Sequence, residues 1–220
     1  MLEISNVKVY DLEESIVSCR NAMRLTPSKV FDPVPRDMSD AVDIANYYEN
    51  RKDDWNKSLE RAKKLCKAPS NSGHANFLTG IRVSFDIKYP NYISPEMQRY
   101  HFFDIVTSSS KMHTLIKVAG DSSHYNKYVT KDSLDQMKRL QDSYNEACET
   151  GTPDDQYEAF MYLISNCPQG IELFMRVSTN YMQLRTMYHQ RKNHKLREDW
   201  GNFCEFIERL PYAKEFIIGE

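Results

Sequence analysis

The sequence predicts an α/β (α+β) fold in which a mixed sheet is combined with helices and the C-terminal half is rich in helices. Two patterns carry this prediction: an alternating apolar segment at 80–89, and apolar residues that step by three and four after residue 133. The chain has 220 residues, of which 40% are hydrophobic and 27% are charged. This size and composition predict one globular domain over residues 1–220.

The N-terminal part predicts a strand followed by two helices. The strand is indicated by roughly alternating apolar residues at Leu2, Ile4, Val7 and Val9. A helix follows, because the next apolar residues have helical spacing at Ile16, Cys19, Ala22 and Met23. The connection after it is rich in proline, at Pro27, Pro33 and Pro35. Ser39 is then the expected N-cap of a long, charged helix that ends near Lys67 and, with its thin apolar stripe, is expected on the outside.

The middle of the chain contains the clearest strand, GIRVSFDIKY. One face of this strand is predicted to join the core and carries Ile81, Val83, Phe85 and Ile87. The opposite face carries Arg82, Ser84, Asp86 and Lys88. Pro90 and Pro95 break the chain after it, and the polar tract from Thr107 to Lys111 is predicted to be a loop.

The C-terminal half predicts four helices. The first is expected to be capped by Ser133, to end at Gly151 and Pro153, and to share one apolar face among Leu134, Met137, Leu140, Tyr144 and Ala147. The second covers about Asp155 to Asn166. The third is predicted from apolar steps at Ile171, Phe174, Val177, Tyr181, Leu184 and Tyr188. The last covers about Leu196 to Leu210.

Composition and motifs argue against several classes of function. Lys and Arg number 29 against 31 Asp and Glu, so net charge gives no push toward nucleic acid or anionic lipid. No apolar run approaches the roughly 18 residues of a membrane span, and a cytoplasmic location is predicted. The five cysteines form no C-x-x-C, and no metal is predicted because the candidate histidines are too far apart at His101, His113 and His124. Neither common glycine-rich nucleotide loop nor a hydrolase motif is present.

Two segments carry polar residues that could bind a ligand. GHANFLTGIRVSFDI places His74 after Gly73 at the entrance of the clearest strand, where loops often build sites. RYHFFDIVTSSSK contains Arg99, Ser109 and Lys111. A basic side chain can pair with phosphate, and a serine hydroxyl can donate to a phosphate oxygen. The alternatives are an ordinary loop histidine and a plain solvated loop.

A third segment, FMRVSTNYMQLR, lies where the third C-terminal helix is predicted. Arg176, Asn180 and Leu184 are four residues apart, so a helix would align them on one side with Arg185 beside them. An arginine and an asparagine on that side can read a nucleotide base and its phosphate. The alternative is that Arg176 and Asn180 merely bound the apolar face of the helix.

In order and spacing, the three segments resemble the flavin-dependent thymidylate synthases. Gly73 and His74 match the Gly-His of that family, and Arg99 and Ser109 match its signature of Arg-His-Arg, seven residues, Ser, one residue, Arg. The family's helix motif of Asn-x-Arg, three residues, Asn, three residues, Leu-Arg is matched at Arg176, Asn180, Leu184 and Arg185. Near the N-terminus, where relatives have Ala-Ala-Arg-Val-Ser, this chain has Ser-Cys-Arg-Asn-Ala and matches at Arg20.

The chain also departs from the family pattern, with Thr79 and Gly80 in place of Glu-His, Tyr100 and His101 in place of His-Arg, Lys111 in place of the final Arg, and Phe174 in place of the first Asn. Three outcomes are therefore open. The protein is a synthase with a drifted site, a relative that acts on another pyrimidine nucleotide, or a scaffold that has lost catalysis.

The resemblance implies the fold of that family and an FAD-dependent methylation of dUMP that uses methylenetetrahydrofolate and NADPH. The flavin carries the chemistry, so no catalytic residue is assigned and protein side chains position the ligands. The residues implied to bind the cofactor are His74, Arg99, Arg176, Asn180 and Leu184. Those implied to bind the substrate are Ser109, Lys111 and Arg185, with Ser109 and Lys111 holding its phosphate. A homotetramer that builds each site from several chains is also implied.

A second hypothesis comes from the basic segment 189–197, which lies in YHQRKNHKLR. Its positive side chains could contact nucleic-acid phosphates, and a catalytically inactive scaffold could use them as a nucleic-acid- or protein-binding module. The alternative is a solvated turn between helices, because net charge is near zero and few aromatic residues are interleaved.

Overall fold

The computed structural model describes residues 1–26, 41–69 and 72–219. The predicted connection at Pro27, Pro33 and Pro35 and the predicted N-cap at Ser39 lie outside these residues. In chain order the elements are β1 (Glu3–Tyr10), α1 (Leu12–Ser18), α2 (Ala41–Cys66), β2 (Arg82–Pro90), α3 (Ser94–Met97), β3 (Phe103–Ser108), α4 (Lys111–Val118), α5 (Lys131–Thr150), α6 (Pro153–Ser165), β4 (Glu172–Asn180), α7 (Tyr181–Arg191), α8 (Arg197–Glu208) and a π-helix (Lys214–Ile218). The mixed fold with a helix-rich C-terminal half is confirmed.

The four strands form one antiparallel sheet in the order β1-β2-β4-β3. In β2, Val83, Phe85 and Ile87 are fully buried, whereas Asp86 and Lys88 on the other face are half-buried. The period-2 prediction for this strand is therefore confirmed. β4 has the same alternation, with its buried side chains at Leu173, Met175, Val177 and Thr179.

The helix predicted to begin near Ile171 is wrong for its first half, because residues 172–180 form β4 and the helix begins at Tyr181. Burial alternates every second residue, and Phe174, which the helical spacing placed in the core, is 54% exposed. β4 is also hydrogen-bonded between two other strands. Sheet pairing decided this segment, and the three-and-four spacing of its apolar residues was coincidental.

The polar tract from Thr107 to Lys111 is also not simply a loop. Thr107 and Ser108 end β3, and Lys111 begins α4. Phe103 is the only buried residue of β3, so this strand offers no apolar alternation for sequence reasoning to detect. The predicted cap at Ser133 is wrong as well: Thr130 caps α5, and its hydroxyl accepts a hydrogen bond from the Ser133 N–H at 3.3 Å.

The chain divides into two compact units whose segments alternate along the sequence. Unit 1 comprises Met1–Val7, Phe85–Ser178 and Lys195–Phe203, and unit 2 comprises Lys8–Ser84, Thr179–His194 and Cys204–Glu220. The core of unit 1 includes an aromatic group formed by Phe85, Phe103, Trp200 and Phe203. The core of unit 2 includes Leu78, Ile81, Tyr181, Leu184 and Phe216. The single domain over residues 1–220 stays a prediction.

Across residues 1–26, 41–69 and 72–219, no helix has both the length and the apolar character needed to cross a membrane.

Candidate functional site

A pocket of about 520 Å³ lies in unit 1, where residues of all four strands meet Ser109. We call it the sheet pocket, and it is lined by Ser5, Asn6, Asp86, Thr107, Ser108, Ser109, Phe174, Met175 and Arg176. Two of the predicted site residues, Ser109 and Arg176, are thereby brought together although they are far apart in sequence. The fold brings these two together because β3 and β4 are neighbouring strands.

Arg176 is held in the sheet pocket by two bonds from its Nη1 atom. One is an ion pair with Asp86 Oδ1 at 3.0 Å, and the other is donated to the Asn6 carbonyl oxygen at 3.1 Å. The Asn6 side chain donates in turn to Asp86 Oδ2 at 2.5 Å. Asn6 has a φ of 50°, a left-handed conformation that asparagine tolerates better than most residues, and it contacts both charged partners.

The carboxyl group of Asp86 has a pKa below its usual value of 3.8, because the Asn6 side chain and then the Arg176 guanidinium donate hydrogen bonds to its ionised form. Asp86 is therefore an anion at neutral pH and can only accept hydrogen bonds. Asp86 and Arg176 are the only charged residues among those that line the pocket, so their charges cancel.

Ser109 connects the end of β3 to β4. Its N–H donates to the Phe174 carbonyl oxygen at 2.7 Å, and its Oγ accepts from the Phe174 N–H at 3.1 Å. The hydroxyl proton of Ser109 is still able to donate to a ligand. Lys111, which was predicted to bind the substrate phosphate together with Ser109, is half-buried at the start of α4. It is not among the residues that line the pocket.

A second pocket of about 540 Å³ lies in unit 2 along one side of α7. We call it the α7 pocket, and it is lined by Ala75, Met182, Arg185, Thr186, His189 and Gln190. Nη2 of Arg185 donates to the carbonyl oxygen of Cys66, the last residue of α2, at 2.9 Å. One turn further along α7, His189 Nε2 lies 3.2 Å from the Ile217 carbonyl oxygen.

His189 has a pKa below its usual value, first because burial disfavours the charged imidazolium and also because Lys192 and Arg185 are positively charged. A neutral ring that donates from Nε2 to Ile217 leaves Nδ1 as an acceptor. The α7 pocket therefore contains one permanent cation and an uncharged imidazole, and no carboxylate lies among its lining residues.

Asn180 and Leu184 have clear structural positions in unit 2. The Asn180 side chain accepts from the Gln183 N–H at 2.9 Å and caps α7. Leu184 is fully buried. Because Arg176 and Asn180 belong to a strand, the predicted alignment of both with Leu184 on one side of a helix is wrong. Their contact with a flavin stays a prediction.

The other predicted residues lie at the surface. His74 is exposed and follows Gly73, which has a φ of 71°, and its neighbour Ala75 lines the α7 pocket. Arg99 is exposed between α3 and β3. The basic segment 189–197 covers the end of α7, the following turn and the first residue of α8. Its Lys192, Lys195 and Arg197 are exposed, which suits both the binding hypothesis and a solvated turn.

Sequence reasoning missed Asn6, Asp86 and Phe174 as residues of a pocket. The alternation of β2 placed Asp86 on the polar face, and this was a usable signal. Asn6 gave none, because its role depends on a left-handed backbone conformation and on partners 80 and 170 residues away. In the described ranges, no three His, Cys, Asp or Glu side chains come together in a group that could hold a metal ion.

No protein-family model and no curated protein sequence matches the chain. Solved structures do match. A flavin-dependent thymidylate synthase, ThyX, from Helicobacter pylori, complexed with FAD and dUMP, superposes with a TM-score of 0.62 over 98% of this chain and 97% of that one. The chain has the fold of the flavin-dependent thymidylate synthases. A second structure of ThyX from Helicobacter pylori with FAD and dUMP gives a TM-score of 0.60 over 99% and 97% of the two chains.

The same fold is shared with PolB from Streptomyces cacaoi, a UMP/dUMP methylase bound with 5-Br dUMP, at a TM-score of 0.59 over 100% of this chain and 94% of that one. Sequence identity is 13% to the two ThyX structures and 11% to PolB. The fold implied by the resemblance is confirmed. At such identities the likeness shows the fold.

Proposed function

We propose that the protein is a flavin-dependent methyltransferase of the thymidylate synthase type that acts on a pyrimidine nucleotide, with dUMP as the first candidate. The observation that carries the proposal is the superposition over nearly the whole of both chains with enzymes complexed with FAD and dUMP. A UMP/dUMP methylase with the same fold supports the extension to other pyrimidine nucleotides. A homotetramer in the cytoplasm belongs to the same proposal.

The α7 pocket fits the phosphate of such a nucleotide. Arg185 uses Nη2 for the Cys66 carbonyl oxygen, and the remaining N–H groups of its guanidinium can donate to phosphate oxygens. Among the described residues, none of those that line this pocket carries a carboxylate, so the lining does not repel a phosphate. The neutral His189 adds an acceptor that can take a hydrogen bond from a sugar hydroxyl or a base N–H.

Four of the protein's five thiols do not suit nucleophilic catalysis. Burial raises the pKa of the Cys66 and Cys204 thiols to about 11, and it also raises the pKa of Cys19 and Cys167. These thiols stay protonated at neutral pH, and a protonated thiol is a poor nucleophile. A mechanism in which a cofactor carries the chemistry is consistent with this.

When bound and reduced by NADPH, FAD would supply the electrons that convert the one-carbon unit of methylenetetrahydrofolate into a methyl group. We propose that His74, Arg99, Arg176, Asn180 and Leu184 hold the cofactor, and that Ser109, Lys111 and Arg185 hold the substrate. In the sheet pocket, Arg176 makes both of its bonds through Nη1, which leaves Nε and Nη2 able to donate. The task of these residues is to bind and orient the reactants.

The test combines cofactor retention with turnover. Purified protein is incubated with FAD, freed of excess cofactor by gel filtration, and supplied with dUMP, methylenetetrahydrofolate and NADPH, and dTMP is measured by mass spectrometry. We expect retained flavin absorbance and dTMP formation. The variant Arg185→Gln should raise the KM for dUMP about tenfold or more, because a charged donor to the phosphate is lost.

The matched control is Arg209→Gln, which changes an exposed arginine paired with Glu205 and should leave the KM unchanged. Arg185→Lys keeps the charge but loses the forked geometry of the guanidinium, so its KM for dUMP should lie between those of Arg209→Gln and Arg185→Gln. Failure to retain FAD and absence of dTMP would overturn the proposal. Salt-sensitive binding of nucleic acid that is lost on replacing Lys192 and Lys195 would then favour the module built on segment 189–197.

A further inference from the structure

We propose that the solvent side of α6 docks a basic polypeptide segment of another protein, one that is rich in lysine and arginine and also carries apolar side chains. We call this surface the α6 face, and it is formed by Asp154, Asp155, Tyr157, Glu158, Met161 and Tyr162. It lies within unit 1. None of its residues is assigned to the cofactor or to the substrate, so the proposed function neither requires nor excludes a partner on it.

Large apolar side chains lie on the α6 face, where a surface helix normally exposes polar ones. Leu163 is the one buried residue of α6. Tyr157, Tyr162 and Met161 are 66%, 55% and 40% exposed. Tyr157 and Met161 are four residues apart, so they are neighbours on the helix surface. An exposed apolar patch with polar residues around it is typical of an interaction site.

A groove of about 250 Å³ between α5 and α6 continues the α6 face. It is lined by Leu140, Ser143, Asp155, Glu158, Ala159 and Tyr162. This lining combines apolar side chains, two carboxylates and an aromatic ring. A lysine or arginine side chain has the matching parts, because its stem is apolar and its tip is charged. The cation can pair with a carboxylate or lie over the ring of Tyr162.

The charges of the two helices select a cationic partner. α6 contains three carboxylates and no lysine or arginine, and α5 contains five carboxylates against three basic residues. Asp155 accepts bonds from Thr152 at the start of α6, whereas Glu158 makes no hydrogen bond or ion pair with a described residue. Such a surface attracts a basic segment and repels nucleic acid and anionic lipid.

A polypeptide engages the charged and the apolar parts of the α6 face together. An inorganic cation would engage only the carboxylates and would leave Tyr157 and Met161 in contact with water. A segment in which basic and apolar side chains are interspersed reaches both. Tyrosine and methionine are also enriched in protein interfaces relative to the rest of a protein surface.

Fluorescence anisotropy of labelled peptides added to the full chain tests the proposal. The probe is the peptide KLRKLLRK, and two controls separate its parts. QLQQLLQQ keeps the leucines without the charge, and KSRKSSRK keeps the charge without the leucines. We expect KLRKLLRK to bind about tenfold more tightly than either control, and its affinity to fall as the NaCl concentration is raised.

Variants of the α6 face are compared with matched variants elsewhere. Glu158→Lys should weaken binding of KLRKLLRK about fivefold or more, whereas Glu13→Lys makes the same change of charge on an exposed residue of α1 and should have little effect. Tyr157→Ser should weaken binding to a similar degree, and Tyr48→Ser, which changes an exposed tyrosine of α2, should not. Thermal melts show that each variant is folded.

Three results would overturn the proposal: equal binding of KLRKLLRK and QLQQLLQQ, equal losses for Glu158→Lys and Glu13→Lys, or no loss for Tyr157→Ser. Self-association of the unmodified chain that Tyr157→Ser abolishes in sedimentation velocity would assign the face to a second copy and would also overturn it. Retention of FAD and formation of dTMP should be the same in Glu158→Lys as in the unmodified protein, so the outcome is separate from that of the proposed function.

Discussion

At the scale of single residues, the role of an arginine depends on what neutralises it. The sequence motif indicates Arg176 as a ligand-binding cation, but the structure pairs it with Asp86 and with the backbone of Asn6. Arg185 donates to a neutral carbonyl oxygen, and the described residues that line its pocket include no carboxylate. The sequence alone does not distinguish the two arginines. Of the two, Arg185 is the one whose charge is not paired with a carboxylate among the described residues, so it is the better partner for a phosphate.

The pairing of Asp86 makes stability depend on pH. Since its pKa in the folded protein is below the usual 3.8, Asp86 stabilises the fold fully above that value, and the contribution is lost as pH falls through the folded pKa. We expect Asp86→Asn to lower the free energy of unfolding at neutral pH, with the difference from the unmodified protein disappearing in acid. Urea unfolding at neutral pH and at a pH well below 3.8 measures the free energy of unfolding of the variant and of the unmodified protein.

Asp104→Asn serves as the control for this prediction, because Asp104 is exposed and its replacement should have little effect at either pH. A difference between Asp86→Asn and the unmodified protein that grows in acid would contradict the assignment of the pKa shift.

At the scale of elements, the junction between β4 and α7 organises the third motif. The strand ends at Asn180, whose side chain accepts the Gln183 N–H and begins the helix. A short polar side chain with an acceptor oxygen is what a helix N-cap requires. Asn180, which the family motif assigns to a ligand, therefore also has a structural role as the N-cap of α7.

We expect Asn180→Ala to lower the free energy of unfolding by about 1 kcal/mol, because the cap of α7 is lost. Asn180→Ser retains a capping oxygen and should be close to the unmodified protein. Chemical denaturation measures the two variants side by side. If serine destabilises as much as alanine, the cap is not the reason, whereas a stable Asn180→Ser protein that no longer retains FAD would support the proposed flavin contact.

At the scale of the whole molecule, each compact unit is assembled from three separate stretches of chain. In unit 1, the buried side chain of Asp199 on α8 accepts the Leu2 N–H at 3.0 Å and the Tyr92 hydroxyl at 2.7 Å. Trp200, the next residue, donates to Glu96 at 2.9 Å. A short stretch near residue 200 thus joins the start of β1 to the segment after β2.

Replacing Asp199 with alanine should destabilise the protein by about 2 kcal/mol or more, since the Leu2 N–H and the Tyr92 hydroxyl would both lose their acceptor. Tyr92→Phe removes one of the two bonds and should cost less. The matched control is Glu198→Ala, which removes exposed contacts with Lys127 and Tyr128 and should cost little. Equal losses for Asp199→Ala and Glu198→Ala in urea unfolding would show that burial of the acceptor does not matter.

Much of the fold was determined by the sequence alone. β1, β2, α5, α6 and α8 were predicted close to their observed positions. In β2, α5, α6 and α8 one face is buried, so apolar residues recur with the period of the element. β1 was predicted from its alternating apolar residues although none of the residues of this strand is buried. The order and spacing of the segments that carry Gly73 with His74, Arg99 with Ser109, and Leu184 with Arg185 also led to the correct fold.

The other elements and the sheet pocket depend on contacts between residues that are far apart in the sequence. β3 is almost wholly exposed and so has no apolar period, while β4 became a strand because β2 and β3 pair with it on either side. The sheet pocket depends on a bond between Asp86 and Arg176, 90 residues apart, and on a left-handed Asn6. Burial can be predicted from the sequence because apolar residues recur with the period of the helix or strand that contains them. The residue that pairs with a charged side chain depends on which strands are neighbours in the sheet.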